Sequence, residues 1–345
     1  MPAGGRDNVD RLNRKSAGRG LALSILLSLG ALSVVFLLVP DREAALRSLR
    51  TFDPGKLGTC AALMAGAWFS DSCRLYLLTH GVGKPVPLRT AVKAVLAGNF
   101  LTLVTPFLAG GAPVVAYTVK RGRMRWGEAT AVVVGGGIVA QAALVILAIW
   151  AAAALEALGF KTGWERVFRF VVPAYALGLA GFSALALRAD VVEDWVKAVV
   201  KRCGRRTLAV VSGKFIRILR DFAGSLRLLA SENVAHVVGA LAFGLAYFVL
   251  LFAIGPVVLS GLGVEYAWRE VFALQILVYV FTGVTPTPGG SGTAELGTFV
   301  VFSHLAPIHT IGAFLVVWRL CTFYFSLLTG GVAFAIVLRD ILSES

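Results

Sequence analysis

Long apolar runs, separated by short charged segments, dominate the chain. Four of these runs, at residues 21–40, 129–155, 233–264 and 296–318, contain no Asp, Glu, Lys or Arg. A helix that crosses a bilayer needs about 20 predominantly apolar residues. The pattern therefore predicts an all-α polytopic membrane protein. We expect six transmembrane helices, at about 20–40, 57–79, 127–156, 167–188, 235–260 and 309–338.

Two further apolar runs are interrupted by residues that break or weaken helices. The run 94–119 has basic residues on both flanks, whereas the run 271–294 is followed by a stretch without Lys or Arg. Because Lys and Arg collect on the cytoplasmic side, the pattern predicts two re-entrant hairpins that enter from opposite faces. The interruptions read Thr105-Pro106 with Gly110-Gly111, and Thr285-Pro286-Thr287-Pro288-Gly289-Gly290-Ser291.

The order of these elements repeats within the chain. In the first half, a span is followed by a hairpin and another span. The second half has the same order of elements with the opposite orientation in the membrane. Thr105 and Thr285, each before a proline, lie 180 positions apart. Inverted repeats whose broken helices meet near the bilayer midplane are typical of transporters. The alternative is that both runs are straight transmembrane helices with ordinary Pro or Gly kinks.

Composition and charge exclude several classes of protein. Charged residues make up 15% of the chain and hydrophobic residues 57%, whereas a soluble domain carries about 25% charged residues. The net charge of +14 fits cytoplasmic loops beside anionic lipid better than nucleic-acid binding. We expect a basic cytoplasmic N-terminus at 1–19, a transmembrane domain at 20–338 and a cytoplasmic tail at 339–345.

The segment 189–232 is basic and amphipathic. Within it, apolar residues recur every three or four positions from Leu208 to Leu229. Such a stripe predicts a helix in the cytoplasmic headgroup layer. A helix that binds a partner protein is the alternative.

Charged residues within the predicted spans are the best candidates for function, because each costs about 2.5–3.5 kcal/mol to insert. Glu295 follows the second Gly-Gly turn, and Arg319 lies about ten residues into the last span. We predict that these two form an ion pair or share a polar cavity, either as a structural lock or as a contact for an anionic group. Asp71 and Arg74 predict a local helix pair, with Arg74 reaching toward the surface.

Uncharged polar groups complete the candidate site. Thr105, Thr285, Thr287 and Ser291 supply hydroxyls at the two breaks, and Asn99 lies in the first hairpin. No catalytic set, metal site or cofactor is expected. The sequence contains no GxxxxGK[ST] motif, so we do not expect the chain to hydrolyse ATP itself.

The motifs at the two breaks resemble a known family. The segments Gly98-Asn99-Phe100 to Ala116-Tyr117 and Pro286 to Glu295, with Trp318-Arg319, are similar to the flippase-like transmembrane domain of the lysylphosphatidylglycerol synthase family. The resemblance implies a bacterial or archaeal inner-membrane protein whose membrane domain moves an aminoacylated phospholipid between leaflets. Two residues depart from the family pattern: Ala112 and Val115 stand where an acidic residue and an arginine are usual.

From these observations we expect a stand-alone flippase-like protein without the family's soluble aminoacyltransferase domain. Its substrate would be an anionic or aminoacylated lipid held between the hairpin tips, Glu295 and Arg319. A transporter or channel for a small anionic solute is one alternative. A non-transporting accessory subunit of a lipid- or glycan-modifying enzyme is the other.

Overall fold

A computed structural model describes residues 41–106, 110–121, 124–159, 164–188, 206–282, 287–303 and 305–342, with a few isolated positions elsewhere. These parts of the chain are helical and contain no strand. The helices are α1 (Arg42–Arg50), α2 (Gly55–Gly81), α3 (Leu88–Val104), α4 (Gly111–Lys120), α5 (Trp126–Ala157), α6 (Trp164–Leu187), α7 (Arg206–Ser231), α8 (Val234–Gly261), α9 (Trp268–Thr282), α10 (Thr293–Phe302), α11 (Ile308–Arg319) and α12 (Phe325–Leu342). A 3₁₀ turn (Pro288–Gly290) precedes α10, and a π-helical turn (Leu320–Tyr324) joins α11 to α12.

Four segments of the described chain are long and apolar enough to cross a membrane: Trp126–Ala157, Arg169–Leu187, Val234–Gly261 and Ile308–Asp340. The prediction of an all-helical, multi-pass membrane protein is therefore confirmed. The predicted first span, 20–40, lies almost entirely outside the described residues. The predicted second span corresponds to α2, whose polar residues include Asp71 and Arg74.

α2 and α8 pack against each other along their whole length. Their contacts run in reverse order, so the two helices are antiparallel. Lys56 lies against Gly261, Gly66 against Leu250, Leu77 against Gly239 and Gly81 against His236.

α2 and α8 also end in the same way. The amide of Lys84 donates to the Thr79 carbonyl at 3.0 Å, and the amide of Val264 donates to the Leu259 carbonyl at 3.2 Å. Each end includes a glycine at positive φ, Gly83 or Gly263, as a left-handed helix cap requires. These two ends lie 180 positions apart, which agrees with the repeat predicted from the sequence.

Each predicted hairpin is a helix, a break and a returning helix. In the first, α3 and α4 approach so closely that a Cβ on Gly111 would lie 2.8 Å from the Gly98 carbonyl oxygen. The Thr105 hydroxyl closes this break, because it accepts a hydrogen bond from the Gly110 amide at 2.8 Å. The second hairpin consists of α9, the 3₁₀ turn and α10. In each run, the described residues thus form one helix before the break and a second helix after it.

Each hairpin packs against a helix from the other half of the chain. α3 of the first hairpin packs against α12, and α9 of the second packs against α5. Contacts of Gly330 with Leu96 and Phe100 hold α12 close to α3. Each hairpin thus lies beside the last helix of the other repeat, which is the arrangement that an internal two-fold relation produces.

The predicted surface position of the basic amphipathic helix is wrong for its C-terminal half. α7 packs against α5, and a Cβ on Gly127 would lie 2.4 Å from the Ile218 carbonyl oxygen. Leu226 and Leu229 are buried. The apolar stripe from Leu219 onward therefore faces protein, because the glycines of α5 provide a groove for it.

The predicted surface reach of Arg74 is also wrong. Its Nε and Nη2 donate to Asp71 at 2.8 and 2.6 Å, and its Nη1 donates to the Gly136 carbonyl of α5. The side chain of Arg74 is 14% exposed. Gly136 and Gly244 leave room for it between α2, α5 and α8, so the charge is satisfied inside the protein.

The close approach of α3 and α12 predicts different effects at two adjacent glycines. In Gly330→Ala the new Cβ would lie 2.8 Å from the Leu96 carbonyl oxygen, whereas in Gly331→Ala its nearest neighbour is 3.5 Å away. We expect Gly330→Ala to destabilise the protein by about 1–3 kcal/mol through overpacking. Gly331→Ala should be neutral or slightly stabilising, since alanine favours helix. Thermal unfolding in detergent measures both, and equal midpoints would contradict this packing.

Candidate functional site

The centre of the candidate site is an ion pair between the second hairpin and the last span. Arg319 Nη2 lies 2.7 Å from Glu295 Oε2, and the two side chains are 4% and 0% exposed. Arg319 ends α11, and Glu295 lies in the first turn of α10. The predicted pairing is confirmed. A pair so completely buried needs close geometry and additional hydrogen bonds to offset the loss of hydration.

Glu295 also caps its own helix. Its Oε2 accepts a hydrogen bond from the Gly292 amide at 2.7 Å. A carboxylate at the third position of a helix commonly satisfies a free amide in this way and interacts favourably with the helix dipole. One carboxylate thus fixes both the start of α10 and the guanidinium of Arg319.

The turn before α10 depends on glycine. Gly289, Gly290 and Gly292 all have positive φ, at 61°, 65° and 90°. At Gly289, a Cβ would lie 2.9 Å from the Leu103 carbonyl oxygen and 2.7 Å from the Phe323 ring. The tips of the two hairpins therefore meet here, next to the π-helical turn.

The π-helical turn begins directly after Arg319. Such turns are rare and frequent at functional sites. The Cζ of Arg319 lies 5.5 Å from the centre of the Trp318 ring and 5.1 Å from that of Phe323, within cation–π range. The guanidinium is therefore held between a carboxylate and two aromatic rings.

A cavity of about 170 Å³ lies beside Arg319. It has room for on the order of ten water molecules. Its wall mixes aromatic rings with hydroxyl and amide groups, and it draws on both hairpins and both repeats. The described lining residues are Met64, Trp68, Asn99, Thr102, Leu103, Tyr247, Leu251, Phe252, Gln275, Val278, Tyr279, Thr282, Gly289, Gly290, Ala294, Thr298, Trp318, Arg319, Thr322, Phe323 and Ser326.

The structure divides the residues predicted for the site into two groups. Asn99, Gly289, Gly290 and Arg319 line the cavity. The others described shape or support the hairpins without lining it: Thr105, Pro106, Gly110, Gly111, Thr287, Pro288, Ser291 and Glu295. Thr285 and Pro286 lie outside the described residues.

Sequence reasoning missed most of the wall. Trp68, Tyr247 and Tyr279 come from spans that were judged only by their hydropathy. Gln275 carries the one usable signal, since it is a polar residue in the apolar run of α9. Its amide donates to the Phe252 carbonyl at 2.7 Å, so it joins α9 to α8 and also lines the cavity.

Several buried polar atoms near the pair make no hydrogen bond within the described chain. They are Arg319 Nε, Thr287 Oγ1 and Ser291 Oγ; Arg319 Nη2 also makes no hydrogen bond of normal geometry, although it forms the ion pair with Glu295. An unsatisfied buried donor costs about 1–3 kcal/mol, and most such groups in native proteins have a partner. Among these three atoms, Arg319 Nε belongs to a residue of the cavity wall, so a bound polar group is the natural partner for it.

The family comparison agrees with this geometry. Residues 21–330 match the family described as the lysylphosphatidylglycerol synthase transmembrane region. The chain belongs to this family. The match covers both hairpins and the Arg319–Glu295 pair, so the resemblance seen in the break motifs is confirmed.

A curated relative extends the comparison. A UPF0104 membrane protein of Archaeoglobus fulgidus is 22% identical over 279 residues, which cover 79% of this chain and 83% of the relative. Its name, like that of the lysylphosphatidylglycerol synthase transmembrane-region family, describes a membrane protein.

The buried pair predicts a stability pattern. Glu295→Gln removes the carboxylate and leaves the guanidinium of Arg319 buried, which should cost about 3–5 kcal/mol. The double variant Glu295→Met with Arg319→Met should be more stable than Glu295→Gln, because apolar replacement of a buried pair is often neutral. It should still lose about 1 kcal/mol relative to the wild type, since the cap on the Gly292 amide is removed.

Lys93→Met is the control for that pattern. It breaks the exposed pair of Lys93 with Asp340 and should change stability by about 1 kcal/mol or less. Thermal unfolding in detergent gives all three values. A double variant less stable than Glu295→Gln would contradict a simple ion-pair lock.

Proposed function

We propose that this protein moves lipids with a polar headgroup between the two leaflets of the membrane. The observation that carries the proposal is a buried, ion-paired arginine on the wall of a largely apolar cavity where two broken helices meet. Helices interrupted at membrane depth are tolerated where they line a cavity or are buried in protein. Membership of the lysylphosphatidylglycerol synthase transmembrane-region family supports the same function.

The size of the cavity supports a model in which the protein holds the lipid headgroup and the bilayer holds the acyl chains. A space of about 170 Å³ suits a headgroup but not the acyl chains of a phospholipid. The headgroup would be shielded in the cavity while the tails remain in the hydrocarbon. Shielding is essential, because an isolated ion faces a cost of tens of kcal/mol in an apolar medium.

The proposed topology follows from the sequence and the packing together. The chain would have six spans and two re-entrant hairpins in an inner membrane. Because six is an even number of crossings, both termini would lie in the cytoplasm. The hairpin α3–α4 would enter from the cytoplasmic face, since Lys84 and Arg121 flank it, and α9–α10 from the opposite face. Rocking of one repeat against the other would open the cavity to each side in turn.

Leaflet exchange in liposomes tests the proposal. Wild-type protein should exchange headgroup-labelled phospholipids faster than protein-free liposomes. The variant with Glu295→Met and Arg319→Met should lose this activity while remaining folded, because its cavity wall no longer presents a charged donor to the headgroup.

The matched control is Asp71→Met with Arg74→Met. It makes the same apolar replacement of a largely buried pair that does not line the cavity, and exchange should persist. Absence of exchange by folded wild-type protein with every lipid tried would reject lipid translocation. Uptake of a small anion into the same liposomes, without lipid exchange, would establish the solute transporter instead.

A further inference from the structure

The formal charge that the cavity presents to a ligand is positive. Among the described residues that line it, Arg319 is the one charged side chain. Its partner Glu295 is 0% exposed, is absent from the wall and binds both the Arg319 guanidinium and the Gly292 amide. A ligand that enters therefore meets a guanidinium and not a carboxylate.

Arg319 has a donor to spare for such a ligand. The residue is 4% exposed, and its Nε makes no hydrogen bond within the described chain. Glu295 contacts the guanidinium through Nη2. The planar fork of arginine suits phosphate oxygens, which accept two hydrogen bonds side by side.

The helix ends at the cavity do not reverse this sign. α10 begins near the cavity, where Ala294 lines it, and α3 and α9 end there through Leu103 and Thr282. A helix start contributes roughly half a positive charge and a helix end roughly half a negative one. One start and two ends together contribute roughly half a negative charge, which is smaller than the full charge of the guanidinium that the ligand contacts.

We infer that the substrate class is a lipid with an anionic phosphate headgroup and no amine, rather than an aminoacylated lipid. A free phosphate would make the same contact with Arg319. That the ligand is a lipid therefore rests on the proposed function. The phosphate contacts Arg319, and Asn99 and the hydroxyls of the wall contact neutral parts of the headgroup. An aminoacyl group adds positive charge, for which the described wall offers no carboxylate.

Calorimetric titration of the full-length protein in detergent tests the inference directly. The probes are dihexanoyl phosphatidic acid, dihexanoyl phosphatidylglycerol, dihexanoyl lysylphosphatidylglycerol and inorganic phosphate. The two anionic lipids should bind about tenfold or more tightly than the lysyl lipid, the scale of one close charge interaction inside a protein. Inorganic phosphate should bind more weakly than either anionic lipid, because it lacks the glycerol and acyl contacts.

Variants test whether the lipids bind in the cavity. Glu295→Met with Arg319→Met should abolish the preference for anionic lipids, whereas Asp71→Met with Arg74→Met should keep it. Arg319→Lys should retain part of it, because the charge remains and the fork is lost. A preference unchanged by the Glu295/Arg319 double variant would overturn the inference.

The results also separate this inference from the proposed function. Equal or tighter binding of the lysyl lipid overturns the substrate class, even where leaflet exchange persists. Inorganic phosphate that binds as tightly as phosphatidic acid overturns the lipid part of the inference. Tight binding of anionic lipids without leaflet exchange supports the substrate class and rejects translocation.

Discussion

The charge of Arg319 has to be compensated inside the protein. The residue lies at the end of α11, within the segment Ile308–Asp340, and its side chain is 4% exposed. Glu295 meets this requirement at 2.7 Å. Because Glu295 is also the N-terminal cap of α10, the same contact fixes where the second hairpin turns. The position of this hairpin turn then determines where one wall of the cavity lies.

The two hairpins solve the same problem in different ways. Each must break a helix without leaving backbone groups unsatisfied. The first uses close glycine packing and the Thr105 hydroxyl, which bonds the Gly110 amide. The second uses three glycines at positive φ and a charged cap. The charged residue on the described cavity wall, Arg319, therefore belongs to the second repeat, whereas Ala112 and Val115 of the first hairpin carry no charge.

Much of this fold could be predicted from the sequence. Hydropathy and the interval of 180 residues indicated the helices, the breaks and the repeat, because each follows from local composition. The pairing of Arg319 with Glu295 could also be predicted, since two isolated charges in apolar runs have few other partners. The inward position of Arg74 could not be predicted, because it depends on Gly136 and Gly244 of two other helices.

The cavity wall and the burial of α7 were beyond sequence reasoning for the same physical reason. Tyr247 and Tyr279 look like ordinary apolar-run residues until α8 and α9 are packed together. The stripe of α7 predicts an apolar neighbour but does not distinguish lipid from protein. The glycines of α5 decide this, since Gly127 permits contact with the α7 backbone.

The central claim is that two hairpins enter from opposite faces and meet at the ion pair. Single cysteines at Lys84, Arg121, Glu265 and Ser303, in a background without Cys60, Cys73, Cys203 and Cys321, test it with a membrane-impermeant thiol reagent on oriented vesicles. The account predicts that Lys84→Cys and Arg121→Cys react from one face, and Glu265→Cys and Ser303→Cys from the other. Labelling of Lys84→Cys and Arg121→Cys from opposite faces would contradict it, because the first hairpin would then cross the membrane.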